Sequence, residues 1–218
     1  MLESKQLPNE IFRIGRRPDP WKPPDWSNAN PDGTFGNRFD DPQRTYRVLY
    51  ASSQELSCYI ETLARFRRDL ELLDELKEIE GEDDFFPSGS VPIEWCDERL
   101  LGTASGSGTY ADLYASGWVA FLRGNLASEC LLLGIKDLDA AVLQNYTPRR
   151  ITQLASLRAY EAEFSGIYYR SRFGHDLENW ALFEPFQIIP GSAKSISVDD
   201  PFFREARDLL DLTLTSDR

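Results

Sequence analysis

The residue types available for catalysis are unevenly represented in this sequence. His175 is the only histidine, and the three cysteines, Cys58, Cys96 and Cys130, are far apart and form no C-x-x-C motif. A zinc cage, a disulfide framework or a histidine general base needs residues that this composition does not supply at the required spacing. Carboxylate, hydroxyl and arginine chemistry remains, and no metal is predicted.

Four short segments carry residues of these types in order along the chain. Glu61 follows Tyr50 by eleven positions, and a serine and an arginine lie together near the C-terminus. The segments are FRIGR with Arg13, GNRFDDP with Arg38, RVLYASS and the following IET with Tyr50 and Glu61, and GIYYRSRFG with Ser171 and Arg172.

Together these segments resemble the RES domain family, which is named for an arginine, a glutamate and a serine. The family pattern has an arginine near the first strand, a Gly-Arg-aromatic-Asn/Asp element, Leu-Tyr followed by Glu-Thr, and Gly-Ile-x-Tyr-x-Ser-Arg. The VPIEW, RRITQ and WALFEP segments also look like family elements, so the resemblance covers about residues 11–190. Two features depart from the pattern: Gly36 sits one place early, and the acidic stretch after Arg68 is long.

The resemblance implies an α+β fold like that of ADP-ribosyltransferases, with a mixed β-sheet core and flanking helices, in one domain over residues 1–218. It also implies an enzyme that degrades NAD by phosphorolysis or hydrolysis, often as the toxin of a toxin–antitoxin pair. NAD would then be a substrate and not a cofactor, with inorganic phosphate as a candidate co-substrate. An Xre-like antitoxin that blocks the cleft is the implied partner.

Glu61 is the implied catalytic carboxylate. Nicotinamide in NAD is a cationic pyridinium that departs as a neutral molecule, so the reaction needs no general acid and suits a site without histidine. A positioned carboxylate stabilises the oxocarbenium character that the ribose develops, or orients the attacking phosphate or water.

The remaining site residues have binding and orienting roles in the same scheme. Arg13 and Arg38 bind the pyrophosphate or the incoming phosphate through forked, charge-assisted hydrogen bonds, and Arg172 is an additional phosphate candidate. Tyr50 stacks on nicotinamide or bonds the ribose. Ser171 orients the catalytic carboxylate or the ribose, because a serine nucleophile would lack a base.

Each assignment has a simpler alternative. Glu61 lies off the apolar stripe of its predicted helix and could be a solvated surface residue. The two N-terminal arginines could pair with nearby carboxylates of Asp19, Asp40 or Asp41, and Tyr50 could be an ordinary core residue at a strand end. His175, in a polar segment, is predicted to be a surface residue.

Two other functions fit the same residues. A protein ADP-ribosyltransferase needs the same NAD cleft and the same carboxylate, and only its acceptor differs. A non-catalytic nucleotide-binding module would keep the fold and lose the chemistry, although the joint presence of five motif residues argues against it.

The elements that must position these residues are predicted from periodicity and turn signals. A capping box at Ser52 and Glu55 begins a helix that continues through Phe66 toward Gly81, and Thr147 caps a helix that begins with Pro148. The other predicted elements are strands at Ile11–Ile14, Tyr46–Ala51, Ser90–Cys96, Gly166–Ser171 and Trp180–Phe186, a connector at Gly102–Tyr110, and helices at Ala115–Leu133, Asp137–Leu143, Pro148–Glu161 and Pro201–Leu212.

The overall charge limits the partners. Thirty-six acidic against twenty-four basic residues give a net charge of −12, which disfavours nucleic acid but permits a small anion held by a few focused arginines. The sequence begins with no signal pattern and holds no long apolar run, so we expect a cytoplasmic protein that does not enter a membrane. Whether it forms a homo-oligomer is left open.

Overall fold

A computed structural model describes residues 2–68, 89–145 and 149–215. Its strands are β1 (Ser4–Lys5), β2 (Ile11–Arg16), β3 (Val48–Ser52), β4 (Ser90–Pro92), β5 (Arg99–Gly106), β6 (Tyr110–Asp112), β7 (Gly166–Ser171), β8 (Gly174–Phe183), β9 (Ile188–Ser195) and β10 (Thr213–Thr215). Eight of them form one sheet in the order β1-β6-β7-β8-β3-β2-β5-β9, and β10 pairs with β4. Within the large sheet β6 and β7 are parallel and the other neighbours are antiparallel.

The helices are α1 (Glu55–Leu63), α2 (Glu94–Asp97), α3 (Ser116–Asn125), α4 (Ala127–Leu132), α5 (Ala140–Asn145), α6 (Arg150–Glu161) and α7 (Pro201–Leu209). A 3-10 turn at Trp26–Asn28 precedes β3, and another at Ala64–Phe66 extends α1. None of the helices in these described ranges is long and apolar enough to cross a membrane.

Hydrophobic packing places helices on one face of the sheet in two groups. The core that includes Trp118 and Ile151 packs α3 to α6 against β7 and β8, while the core that includes Tyr59 and Phe203 packs α1 and α7 against β2 and β5. The opposite face buries a third core, in which Trp180 packs beneath the loop that follows β2. The flanking helices and the mixed sheet confirm the predicted α+β class.

The strands β2 and β3 are neighbours in the sheet but share only one register pair, Phe12 opposite Ser52. By contrast, β3 pairs with β8 from Val48 through Ser52. The two strands therefore diverge along most of their length, and the side chain of Arg13 reaches across the gap to the carbonyl of Tyr50. Helix α1 begins shortly after this point of divergence.

The glycine-rich segment predicted as a connector at Gly102–Tyr110 is strand up to Gly106, and only residues 107–109 connect β5 to β6. Residues Arg99–Gly106 form β5, which pairs with both β2 and β9. A Cβ atom at Gly102 would stand 2.5 Å from the Pro20 ring and 2.8 Å from the indole nitrogen of Trp21. Here glycine serves the close approach of a covering loop and does not indicate flexibility.

The predicted strand Ser90–Cys96 is correct only for its first three residues. Pro92, which has no N–H to continue a ladder, ends β4, and α2 follows. The adjacent side chains of Trp95 and Cys96 are both buried in the α1–α7 core. A helical turn allows this arrangement, whereas a strand would send the two side chains to opposite faces.

The predicted capping box is wrong. Ser52 is the last residue of β3, and the N-cap of α1 is Gln54, whose side chain makes no capping hydrogen bond. The helical run ends at Phe66, because Arg67 has extended backbone. The predicted continuation to Gly81 otherwise lies outside the described residues.

Other boundaries differ more modestly. The predicted helix Ala115–Leu133 is two helices separated at Leu126, and the helix predicted from Asp137 begins at Ala140. Strand β8 begins before Trp180. The sequence does not predict β9, because its exposed residues include a proline and a glycine, which are tolerated in an edge strand. The strand Gly166–Ser171 is confirmed, and the predicted cap at Thr147 and Pro148 lies outside the described residues.

The close contact at Gly166 generates a stability prediction. A Cβ atom there would stand 2.1 Å from the carbonyl oxygen of Ala181 and 2.8 Å from the ring of Tyr110. We expect Gly166→Ala to lower the free energy of unfolding by about 1–3 kcal/mol or more, measured by urea denaturation. The matched control is Gly124→Ala on exposed α3, where nothing lies within 4 Å. The control substitution should raise the free energy of unfolding by about 0.5–1 kcal/mol. Equal effects of the two variants would refute the packing argument.

Candidate active site

The carboxylate of Glu61 is held by a hydrogen bond from the sheet. Burial of Tyr59, Ile60 and Leu63 fixes α1 against the sheet, and leaves Glu61 half-buried on another side of the helix. The side-chain N–H of Asn179 on β8 donates to Glu61 Oε1 at 3.1 Å. Glu61 is therefore not a freely solvated helix glutamate.

The amide of Asn179 is itself fixed at both ends. Its oxygen Oδ1 accepts from the hydroxyl of Ser57 at 2.9 Å and from the hydroxyl of Ser52. The side chain is 1% exposed, so its polar atoms depend on these partners. Only one amide orientation suits the carboxylate, since a flipped amide would turn its oxygen toward Glu61.

The charge of the same carboxylate acts on two tyrosines, the buried Tyr169 and the partly buried Tyr114. Burial raises the pKa of Tyr114 to about 12, while the positive Arg38 acts to lower it and the negative Glu61 to raise it. Burial, and next the charge of Glu61, also holds the pKa of Tyr169 well above its ordinary value. Both phenols stay neutral at physiological pH, and the charges of Glu61 and Arg38 act on the same two rings.

Arg38 lies against these rings and has no carboxylate partner among the residues that the structure describes. Its Nη2 donates to the hydroxyl of Tyr114 at 2.6 Å and to the carbonyl of Leu143, and its guanidinium carbon is 5.6 Å from the ring centroid of Tyr169. The alternative pairing with Asp40 or Asp41 is not observed. Their carboxylates instead accept from backbone N–H groups of their own loop.

Helix α6 holds the loop that carries Arg38. The guanidinium of Arg149 donates to the carbonyl of Gly36 at 2.7 Å, and the side chain of Gln153 donates to the carbonyl of Asn37 at 3.2 Å. The hydroxyl of Ser156 donates to the carbonyl of Phe39 at 2.7 Å. Hydrogen bonds from three positions along α6, beginning at its N-cap residue, thus fix the geometry of this loop. The loop includes Gly36, the position at which the sequence departs from the RES-like pattern.

Tyr50 and Arg13 meet at the divergence of β2 and β3. The hydroxyl of Tyr50 accepts from the backbone N–H of Phe39 at 2.9 Å, and burial holds its pKa well above the ordinary value. Arg13 donates to the carbonyls of Tyr50 at 2.7 Å and Pro20 at 2.8 Å, and burial lowers its pKa to about 10. Arg13 stays cationic at neutral pH, but part of its donor capacity is spent on the backbone; phosphate binding remains a prediction.

Ser171 lies at an open cavity of about 620 Å³. Strand β6 ends at Asp112, opposite Tyr168, while β7 runs on to Ser171 without a partner on that side. The cavity opens beside this edge, and its lining residues are Asp112, Tyr114, Ala115, Ala140, Gln144, Tyr168, Arg170, Ser171, Arg172, Phe173, Gly174 and His175. Asp112 is the only carboxylate among them, and burial raises its pKa.

The serine hydroxyl does not bond Glu61. Its oxygen accepts from the backbone N–H of Phe173 at 3.1 Å, and the bond to the carboxylate comes from Asn179 instead. Arg172 and His175 are exposed and line the cavity. The surface position predicted for His175 is therefore confirmed, and this surface is part of the cavity. Glu61 is not a lining residue, and Tyr114 connects the cavity to the Arg38 and Glu61 side.

Sequence reasoning missed Tyr114 and Asn179. Asn179 sits at an inward position of a strand otherwise rich in buried apolar residues, and a lone amide there is a signal for a satisfied polar cluster. Tyr114 follows a three-residue strand and offered no such signal. No group of three or more histidine, cysteine or acidic side chains able to hold a metal occurs within the described ranges.

Comparisons with known proteins give a structural likeness only. No protein-family model matches the sequence, and no curated protein matches it. Among solved structures, the chain is similar to one described as the crystal structure of the M. tuberculosis MbcT–MbcA toxin–antitoxin complex, with a TM-score of 0.56 and 11% sequence identity. The match covers 94% of this chain and 92% of the other. The mixed sheet with its flanking helices is therefore the fold that this chain shares with the toxin MbcT.

Proposed function

We propose that this chain breaks the bond between nicotinamide and ribose in NAD. The observation that carries the proposal is the carboxylate of Glu61, which is anchored by Asn179 and faces buried, neutral tyrosines next to an arginine. A positioned negative charge in a site of low polarity is what a developing oxocarbenium needs. The ordered RES-like motifs in the sequence support the same assignment.

The site residues suit the charge changes of this reaction. The leaving nicotinamide is neutral, so the reaction needs no histidine to act as a general acid. Positive charge grows on the ribose as the glycosidic bond breaks, and Glu61 is the residue to stabilise it. The partly buried Tyr50 supplies a ring suited to nicotinamide, while the raised pKa of Tyr50 and of the buried Tyr169 behind it keeps both from adding negative charge.

The anionic part of NAD requires local cations, because the chain as a whole carries a net charge of −12. Arg38, Arg172 and Arg13 are the proposed ligands of the pyrophosphate or of incoming phosphate. Arg172 lies at the open cavity, and Ser171 beside it is proposed to orient the ribose. Forked guanidinium groups bind phosphate oxygens in pairs, which suits this task.

The acceptor of the ribose decides among related activities. Incubating the pure protein with NAD, with and without inorganic phosphate, and determining the product masses tests the proposal. ADP-ribose-1″-phosphate indicates phosphorolysis, free ADP-ribose indicates hydrolysis, and a labelled protein indicates ADP-ribosyl transfer. NAD binding without turnover would instead identify a non-catalytic nucleotide-binding module and overturn the proposal.

We extend the proposal to a toxin that is controlled by a partner. A solved structure that shares this fold is that of a toxin–antitoxin complex. Loss of NAD is harmful to any cell, so an active enzyme of this kind needs an inhibitor. The proposed partner is an Xre-like antitoxin protein that blocks the cleft.

Glu61→Gln tests the catalytic carboxylate. The substitution keeps the size of the side chain and removes its charge, so kcat should fall by about 100-fold or more, with little change in KM for NAD. Steady-state kinetics measure both constants. Glu55→Gln on the same helix is the control, because Glu55 pairs with Lys194 at the surface and should leave turnover unchanged. Parental turnover by the Glu61 variant would refute its role.

Arg38→Ala tests the proposed anion ligand. A pyrophosphate clamp serves the ground state and the transition state alike, so its loss should raise KM for NAD or phosphate by about tenfold or more, and change kcat less. The control is Arg123→Ala, which removes an exposed arginine paired with Asp137. An unchanged KM for both substrates would contradict the assignment.

Expression in a bacterial host tests the proposed toxicity. We expect the parent protein to lower cellular NAD and slow growth, whereas Glu61→Gln expressed at the same level should do neither. NAD extraction and growth curves provide the measurements. Equal NAD content in cells expressing the two forms would count against the toxin assignment.

A further inference from the structure

The attachment of Glu61 to the sheet runs through one buried side chain. Asn179 lies in the middle of β8, where it is opposite Tyr169 on β7 and Ser52 on β3. A residue paired on both sides within a sheet has a fixed backbone, whereas Glu61 stands on a helix that ends two residues later. The amide therefore transfers the rigidity of the sheet to the carboxylate.

We propose that Asn179 is a positioning residue that fixes and orients the Glu61 carboxylate for cleavage of NAD, with Ser52 and Ser57 holding its amide in the required orientation. The proposal rests on the proposed NAD cleavage by Glu61. It assigns a functional role to three side chains, of which only Ser52 lies within one of the four RES-like segments.

The hydrogen bonds favour this role over simple filling of the core. A buried amide must have its donors and acceptor satisfied, and two serine hydroxyls already saturate the oxygen of Asn179. With the oxygen facing the two serines, the NH₂ group of the amide faces Glu61 and donates one of its N–H groups to the carboxylate. An apolar residue of similar volume could fill the same space but could not donate to the carboxylate.

Among the described residues, the charge of Glu61 acts on three titratable groups, which are Tyr114 on the cavity side, Tyr169 on β7 and Cys58 on α1. The charge of Arg38 acts on the same two tyrosines. Burial raises the pKa of Cys58 to about 12, similar to that of Tyr114, so neither group titrates between pH 4 and pH 9. A difference between the acid limbs of the kcat profiles of two variants is therefore not caused by these two groups.

The kinetic test compares Asn179→Asp with the parent protein. The aspartate keeps the shape and the acceptor for both serines but loses the N–H and sets a second negative charge against Glu61. We expect kcat to fall by about 10- to 100-fold with KM for NAD nearly unchanged, as for a misplaced catalytic group. The acid limb of the kcat profile should move to higher pH, since a lost donor and an added like charge both disfavour the ionised carboxylate.

Two further variants separate positioning from general loosening of α1. Ser57→Ala removes one anchor of the amide and should reduce kcat by a smaller factor in the same direction. Thr62→Val removes a hydroxyl, next to Glu61 in sequence, that bonds only carbonyls of its own helix, and should leave kcat and the pH profile unchanged.

A stability measurement tests the contact without using activity. Asn179→Asp should lower Tm in the parent, where two carboxylates then face each other. In the Glu61→Gln background the glutamine can donate to the new aspartate. The loss of Tm caused by Asn179→Asp should therefore be smaller there than in the parent, by about 3 °C or more. This rescue also decides the matter if Asn179→Asp proves too unstable for kinetics.

The outcomes distinguish the two proposals. A parent that does not cleave NAD overturns the proposed function, and the positioning role with it. A cleaving parent whose folded Asn179→Asp variant keeps its kcat and pH profile overturns the positioning role alone. Equal Tm losses in both backgrounds overturn it as well.

Discussion

The divergence of β2 from β3 is the constraint on which the arrangement of the site depends. The two strands meet only where Phe12 lies opposite Ser52, and past that point the sheet leaves a gap instead of a continuous ladder. Unpaired backbone carbonyls in such a gap need donors, and the guanidinium of Arg13 supplies them to Tyr50. The end of β3 is then free to turn its serine toward β8, and α1 can start close enough to the sheet to receive a bond from it.

Three acidic residues in the loop that carries Arg38 are committed to hydrogen bonds within that loop. Asp32, Asp40 and Asp41 accept from backbone N–H groups in the loop that leads to β3. These short-range bonds shape the turns and consume the carboxylates that could have paired with Arg38. The arginine is left to a tyrosine hydroxyl and a carbonyl, partners that an anionic ligand can outcompete. The acidic loop residues therefore favour anion binding by Arg38, because they bond the loop backbone and do not pair with the arginine.

Much of the local structure followed from the sequence, and the exceptions have physical causes. The helix around Tyr59 was predictable because its apolar residues repeat with the helical period, and the strand Gly166–Ser171 because it holds a short run of β-branched and aromatic residues. The strand through Gly102 was not, since a glycine that accommodates a neighbouring indole looks the same in sequence as a flexible one. Ser52 was read as a helix cap because its hydroxyl partner, Asn179, is 127 positions away.

The same limit applies to the site. Motif order led to the proposal of Glu61 and Arg38 as site residues, because each belongs to a short segment that a single stretch of sequence can display. The bond from Asn179 joins residues 118 positions apart, and no local pattern carries that information. One consequence concerns synthesis on the ribosome. A nascent chain that has emerged as far as α6 already contains Glu61, but it lacks both the strand that anchors the carboxylate and the edge beside which the cavity opens. The contact between Asn179 and Glu61 can therefore form only after β8 has been synthesised, late in translation.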